Sequence, residues 1–476
     1  MDANREARET ASKLPLDVLS QNLDGTVVAP AEAVVAPGDT DVTPDDAYAE
    51  ARRVWNGMIN EYPVAIAYCE SVGDVLASVS FARERDLTVV VRSGGHSVSG
   101  SSVVSGGFVV DCSKMEWVRV DPDERVARVG PGATWGTLDR ATQSFGLATP
   151  GGVVSDTGVA GLTLGGGTGY LSPKHGFTAD NLCEVDVVTG RGERVTANAD
   201  RNEDLFWAAR GGGTPGVVTA FEFDLHPLDH DVCYFETWLP AEGAAPALAE
   251  YRRYQRDAPD ESCVSPYFAR VPADSWFPDD RRGEGALVLS GVYTGDPSEG
   301  RLEFDQFCDR SDSFAESFET MAYTELQSMM DAEFPAGRRY YWKSVPLAEL
   351  DDDAIGALRG AAENAPSDLS TIVVWPMHGA VGRYPDSSSP IVGRDADVVV
   401  NVEAAWDDPT ATAENVAWVR EVCRRFRSST SIDGTLPNFA GGTESDAVDV
   451  YASNAERLRA IRDRHDPDDV FLYERT

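Results

Sequence analysis

Basic residues are scarce in this chain. It sets 41 lysines and arginines against 79 aspartates and glutamates, for a formal net charge of −38 and a pI near 4.4. Such a surface repels nucleic acid and anionic membranes, so neither is expected as a partner. The seven cysteines, at 69, 112, 183, 233, 263, 308 and 423, contain no CxxC pair. An odd number at irregular spacing disfavours a disulfide framework or a zinc site and fits a reducing cytoplasm. No run of 18 apolar residues occurs, and the opening Met1-Asp2-Ala3-Asn4-Arg5 lacks an apolar h-region, so neither a membrane span nor an export signal is expected. The six histidines, at 96, 175, 226, 230, 378 and 465, form no HExxH pair, which disfavours a metal hydrolase. There is no P-loop and no internal repeat, so a solenoid is excluded.

With 476 residues, 42% of them hydrophobic, the chain is long enough for two packed units and a large cofactor. Its acid is spread through helices and loops, as in Asp351, Asp352 and Asp353 or Asp121, Asp123 and Glu124. That distribution reads as a solvated acidic surface. An ordinary acidic mesophilic protein is one source of it; adaptation to molar salt is the favoured one, because unscreened self-repulsion destabilises a compact state.

Residues 28–48, spaced by Pro30, Pro37 and Pro44, read as an extended arm. Helical spacing begins at Val72 and continues through Val75, Leu76, Val79 and Ala82; Thr88, Val89, Val90 and Val91 then form a buried strand. Further strands are expected at 108–111, 125–129 and 185–189, with a helix over 135–145. In 217–225, the alternation of Val217, Thr219, Phe221, Phe223 and Leu225 predicts a strand with those residues on one face. The pattern is α+β, not a regular βα wind. Between about 230 and 430, aromatic-bearing strands and longer helices mark a second domain. The last stretch places Val448, Tyr451, Ala455 and Leu458 on one helical stripe ended before Pro467.

Three glycine-rich loops stand out. Arg92-Ser93-Gly94-Gly95-His96-Ser97 follows a buried strand directly, so its amides can hold an anion such as a diphosphate, with Arg92 adding charge. Gly151 to Gly169 carries Gly151, Gly152, Asp156, Thr157, Gly158, Gly161, Gly165, Gly166, Gly167 and Gly169, which lets backbone approach an extended ligand. The third loop satisfies GxGxxG with Gly211, Gly213 and Gly216, but a helix at 204–209 precedes it and a strand at Val217 follows. A Rossmann fingerprint needs the reverse order and is rejected.

Together these loops resemble the FAD-binding domain of the vanillyl-alcohol oxidase (PCMH-type) superfamily, in its berberine-bridge-enzyme-like branch. The likeness rests on Arg92 to Ser97, on Gly165 to Tyr170 with His175-Gly176 and Asp180-Asn181-Leu182, on Gly216-Val217-Val218-Thr219, and on Tyr451, Asn454, Arg457, Leu458 and Asp466-Pro467. It implies a two-subdomain FAD-binding domain at 58–228, an α+β substrate domain with an antiparallel sheet at 229–430, an N-terminal arm and helix at 1–57, and a C-terminal return at 431–476. FAD would lie on the first two loops, with Tyr170, Gly216 and Val218 also beside it. The resemblance makes His96 the covalent attachment point. A second attachment, a cysteine eleven residues before the glycine triplet, is Val154 here, so the chain resembles single-linkage members such as hydroxynicotine oxidase.

Departures from that branch bear on chemistry. Thr214-Pro215 shortens the third loop, Glu474 and Thr476 replace terminal asparagines, and Leu436 stands where a tyrosine is common, before Pro437-Asn438-Phe439. The expected function is oxidation of a CH–OH donor, a sugar or other small alcohol, by hydride transfer to flavin N5 and reoxidation by dioxygen or another acceptor. A CH–N donor and a catalytically inert flavin-binding protein are the alternatives, and a small molecule is the only partner implied. With Leu436 unable to accept a proton, His378 and Tyr170 are the expected bases. His378 lies in Trp375-Pro376-Met377-His378-Gly379-Ala380, a segment resembling the strand that faces the isoalloxazine. An unperturbed imidazole titrates near pH 6.5, which suits a base at neutrality.

Overall fold

A computed structural model describes residues 2–30, 44–308, 310, 312–441 and 450–473. Most of the proposed arm, with Pro37, lies outside these residues, as do Val448, Glu474 and Thr476. Within the arm's described part the extended reading is corrected: Pro44–Ala51 is a helix. Proline is tolerated at a first helical position, and Asp46 favours the positive end of the helix dipole.

The helix Val72–Arg83 starts where Ser71 Oγ accepts the Asp74 amide at 3.2 Å. It buries Val75, Val79 and Ala82. It joins Ala65–Tyr68 to Val89–Arg92, and both strands run parallel to Phe108–Asp111 between them; Thr26–Val28 adds antiparallel at the outer edge. The chain end returns to this sheet, with Leu472 N–H donating to the Val89 carbonyl at 2.8 Å. The first glycine loop leaves the C-terminal end of Val89–Arg92, the end at which open α/β sheets bind ligands.

A second sheet is antiparallel, in the order Val118–Asp121, Val126–Val129, Gly216–Asp224, Leu182–Thr189, Arg194–Asn198. Here the one-face expectation for 217–225 is corrected. A register shift between Val218 and Ala220 breaks the alternation. Val217 therefore packs in the core of the first sheet, while Val218, Phe221 and Phe223 pack in that of the second. The second glycine stretch is likewise not all loop, since Val159–Leu164 forms a short helix capped by Gly158.

Strands between Val232 and Trp406 form an antiparallel eight-stranded sheet. Its path runs Ala315–Met321, Val232–Pro240, Gly285–Tyr293, Tyr267–Arg270, Thr371–Pro376, Val398–Trp406, Arg339–Leu347, with Ser262–Val264 pairing beside Gly285–Tyr293. Phe235, Leu289, Val400 and Val402 point to one face, where they pack with Leu358 and Phe426 of the helices Asp352–Glu363 and Thr412–Arg427. The opposite face turns to the glycine loops, as the stack of Tyr340 on Trp55 at 3.9 Å shows.

Candidate active site

The first two glycine loops touch backbone to backbone. A Cβ on Gly94 would lie 2.7 Å from the Gly158 nitrogen, and one on Gly158 would lie 2.7 Å from the Gly94 nitrogen, so both positions require glycine. Gly95 has φ +68°, a left-handed conformation that costs glycine nothing. The amides of Gly94, Gly95, His96 and Ser97 make no hydrogen bond to any described residue, which leaves them free for an acceptor-rich ligand. Ser93 Oγ donates to the Pro131 carbonyl. Ser97 Oγ lies 2.9 Å from Ser99 Oγ.

Arg92 takes a different position from the one expected of a diphosphate ligand. Its buried guanidinium pairs with Asp111, directly across the sheet register, and donates to the Ala51 carbonyl at 2.6 Å. It braces the loop from beneath, with its charge neutralised.

The second and third loops are stitched together. Gly213 N–H donates to the Leu164 carbonyl at 3.1 Å. Asn438 clamps the glycine triplet, accepting from Gly167 N–H at 2.8 Å and donating to the Leu162 carbonyl at 3.1 Å. Gly165 lies against that Asn438 side chain and Gly166 against Ile391. Gly151 packs on Trp135, Gly152 on Leu162 and Gly216 on the Val188 carbonyl, whereas Gly161 faces open space. The Thr157 carbonyl accepts from Trp135 N–H at 3.0 Å, and Val218 is buried opposite Val187. Leu436 is buried with Trp375 beside Phe439.

His96 Nε2 lies 3.2 Å from Asp156 Oδ1, and its ring stacks on Trp55 at 5.4 Å. Trp55 meets Trp342 edge-on at 5.6 Å, and Trp342 stands opposite Glu403 across the large sheet. Glu403 is thus on the face turned to the His96 loop. Its carboxyl accepts from Asn401 Nδ2 at 2.6 Å and from Thr371 Oγ1 at 3.0 Å. Burial pushes it up to about 7, against the pull of those two donors. Sequence reasoning passed over this residue. The signal was there, in polar Asn401 and Glu403 at alternate positions of the apolar run 398–406.

The two bases expected from sequence, Tyr170 and His378, lie in other clusters than Glu403. Tyr170 packs against the cluster of Leu171, Tyr234 and Tyr323, and burial raises its phenol well above the ordinary range. His378 lies past the strand Thr371–Pro376, where Gly379 abuts the Pro173 carbonyl. Burial lowers its imidazole, Asp260 opposes that effect, and Arg383, itself paired with Asp260 at 2.5 Å, adds to it.

Comparison with known proteins agrees with this geometry. Residues 63–198 match the FAD binding domain family. An uncharacterized FAD-linked oxidoreductase, YgaK, of Bacillus subtilis (strain 168) is 27% identical over 454 residues, covering 91% of this chain and 96% of that one. The crystal structure of 6-hydroxy-D-nicotine oxidase from Arthrobacter nicotinovorans superposes with a TM-score of 0.80 at 26% identity, over 95% of this chain and 98% of the other. A xylooligosaccharide oxidase from Myceliophthora thermophila, at 22% identity and a TM-score of 0.82 over 97% and 98%, shares the fold. The chain is an FAD-linked oxidoreductase whose residues 63–198 match the FAD binding domain family, and it shares the fold of the berberine-bridge-enzyme-like structures.

Proposed function

We propose that this oxidoreductase oxidises a CH–OH donor, with FAD attached through His96 and Glu403 as the proton acceptor. One observation carries the reading: a buried carboxyl that titrates near neutrality stands on the sheet face turned to the His96 loop. When bound, FAD supplies the acceptor for a hydride at N5 and passes electrons to dioxygen or another acceptor. Ser93 to Ser97 and the loop from Gly151 to Gly166 would hold it, the amides of Gly94 to Ser97 being free to meet its diphosphate, with Tyr170, Gly216 and Val218 at its margins.

Glu403 in its ionised form takes the hydroxyl proton of the donor. Thr371 and Asn401 fix the carboxylate by their hydrogen bonds, so its free lone pairs keep one direction. Trp342 stands directly opposite Glu403 across the sheet, and Glu403 itself is buried. We favour Glu403 over Tyr170 and His378 because burial holds Glu403 up to about 7, whereas it raises the Tyr170 phenol well above the ordinary range and lowers the His378 imidazole.

A CH–N donor is the second reading. It is favoured by the 26% identical oxidase whose name specifies a nicotine. An anaerobic titration of the holoprotein with alcohols, sugars and amines in molar KCl decides between the two. Bleaching of the visible flavin band by an alcohol or sugar is expected, bleaching by amines alone selects the second reading, and none by any donor marks an inert flavin protein. The seven cysteines, none in a disulfide among the described residues, support a cytoplasmic, reducing compartment. No helix among the described residues is long and apolar enough to cross a membrane.

A further inference from the structure

The Asp156 carboxyl has no task of its own in the reading above, yet its Oδ1 lies 3.2 Å from His96 Nε2. We propose that Asp156 is the positioning residue for flavin attachment: it holds His96 by the Nε2–H, so that Nδ1 is the atom that bonds to the flavin. The proposal rests on the reading that FAD attaches at His96.

Several independent contacts set this pair. Gly94 precedes His96 by two residues and Gly158 follows Asp156 by two, so the glycine contact that joins the loops also delivers the imidazole and carboxylate to each other. Nε2 and Oδ1 are 3.2 Å apart. The ring is stacked at 19° on Trp55, whose backbone N–H donates to the Gly95 carbonyl at 3.1 Å and whose indole stacks on Tyr340. The imidazole is thereby held by its face and by one nitrogen. Its hydrogen bond to His96 also keeps the Asp156 carboxyl below the usual carboxylate range.

The chemistry follows from which nitrogen carries the proton. A neutral imidazole has one N–H and one lone pair, and the partner of the N–H decides which nitrogen holds which. With Asp156 accepting from Nε2, the lone pair is on Nδ1, and the carboxylate makes that nitrogen more basic. In the attachment step an Nδ1–C8α bond forms and a methyl C–H bond breaks. The methyl proton goes to solvent, and the electron pair of the broken bond reduces the flavin. Dioxygen then takes two electrons from the reduced flavin and two protons from solvent and becomes hydrogen peroxide. The substituted imidazole keeps its Nε2 proton and is cationic, and the carboxylate at 3.2 Å balances that charge.

The test compares the wild type with Asp156→Ala and Asp156→Asn, each loaded with FAD in air. Total flavin and acid-precipitable flavin are followed over time, and the flavinyl peptide is analysed by NMR to find the bonded nitrogen. The expected result is an Nδ1 link in the wild type and equal total FAD in all three proteins. Covalent incorporation should be slowed about tenfold to a hundredfold in Asp156→Ala, the range for removing a carboxylate that orients a ligating histidine. Asp156→Asn should be intermediate, because its carbonyl still accepts from Nε2–H without the charge. An Nε2 link, or an unchanged rate in Asp156→Ala, overturns the proposal while attachment at His96 stands. If Asp156→Ala fails to bind FAD, an unchanged rate in Asp156→Asn overturns it. If all wild-type FAD is released on denaturation, the attachment reading falls and the proposal falls with it, while FAD use remains.

Discussion

A carboxyl in water is ionised at neutrality; Glu403 is only half so, because its strand is buried on both faces. That makes it a proton acceptor whose readiness depends on pH. The rate of anaerobic flavin reduction should rise as pH increases through about 7, where Glu403 loses its proton. Glu403→Gln should slow that reduction by about 10²-fold or more, the range for removing a positioned base, and leave FAD content unchanged. His378→Ala should change it by no more than roughly a few-fold on the same scale. Stopped-flow reduction of the three holoproteins over a pH series checks both outcomes, and the reverse ranking returns the base to His378. At this scale the sequence was informative about His96, whose loop announces itself through adjacent glycines. For the base it pointed to His378 and Tyr170, because a histidine attracts notice by its intrinsic titration, whereas Glu403, the base proposed above, acquires its own only by burial.

Among the elements, the helix Trp135–Gln143 is joined to the large-sheet domain by a buried acid and amide. Gln327 Nε2 donates to Asp139 Oδ2 at 3.0 Å and to the Gly152 carbonyl at 3.0 Å. Asp139 Oδ1 and Gln327 Oε1 have no partner among the described residues. Burial pushes Asp139 up to about 7, with Arg140 and the Gln327 bond opposing it. In the protonated form its O–H can serve Gln327 Oε1 and satisfy both atoms. The sign follows: the folded pKa lies above the unfolded one, so folding is favoured by protonation, and stability falls as pH rises from about 4 to about 7. The loss is at most about 4 kcal/mol. Asp139→Asn, which copies the protonated acid, should flatten this slope and raise Tm above pH 7; an unchanged pH profile of Tm counts against it. Asn438→Ala should cost about 1–3 kcal/mol, the range for buried groups left unsatisfied, and loosen FAD through the glycine triplet. Denaturant melts and a flavin-release assay measure that. Element boundaries were legible in 72–83 because a serine cap and apolar periodicity coincide there. In 217–225 they were not, since a bulge leaves the alternation intact on paper while turning side chains to another core.

For the molecule as a whole, the acid lies outside: Asp121, Asp123, Glu124 and Asp351 to Asp353 are all exposed. Among the buried charges, Asp180 pairs with Arg394 at 2.8 Å and Arg92 with Asp111. Salt screens the first group within about 3 Å at 1 M and hardly reaches the second. Tm should therefore climb from low to molar KCl as the net charge of −38 is screened. A flat or falling series removes the halophilic reading. What the sequence by itself determined is the cofactor class and the placing of its loops, because glycine spacing and the strand or helix beside it are local properties of the chain. The proton chemistry was decided by tertiary structure alone. Glu403 meets Thr371 across 32 residues, Asp139 meets Gln327 across 188, and Gly167 meets Asn438 across 271. Desolvation and hydrogen bonding set how each carboxyl titrates, and both exist only once distant segments have packed together.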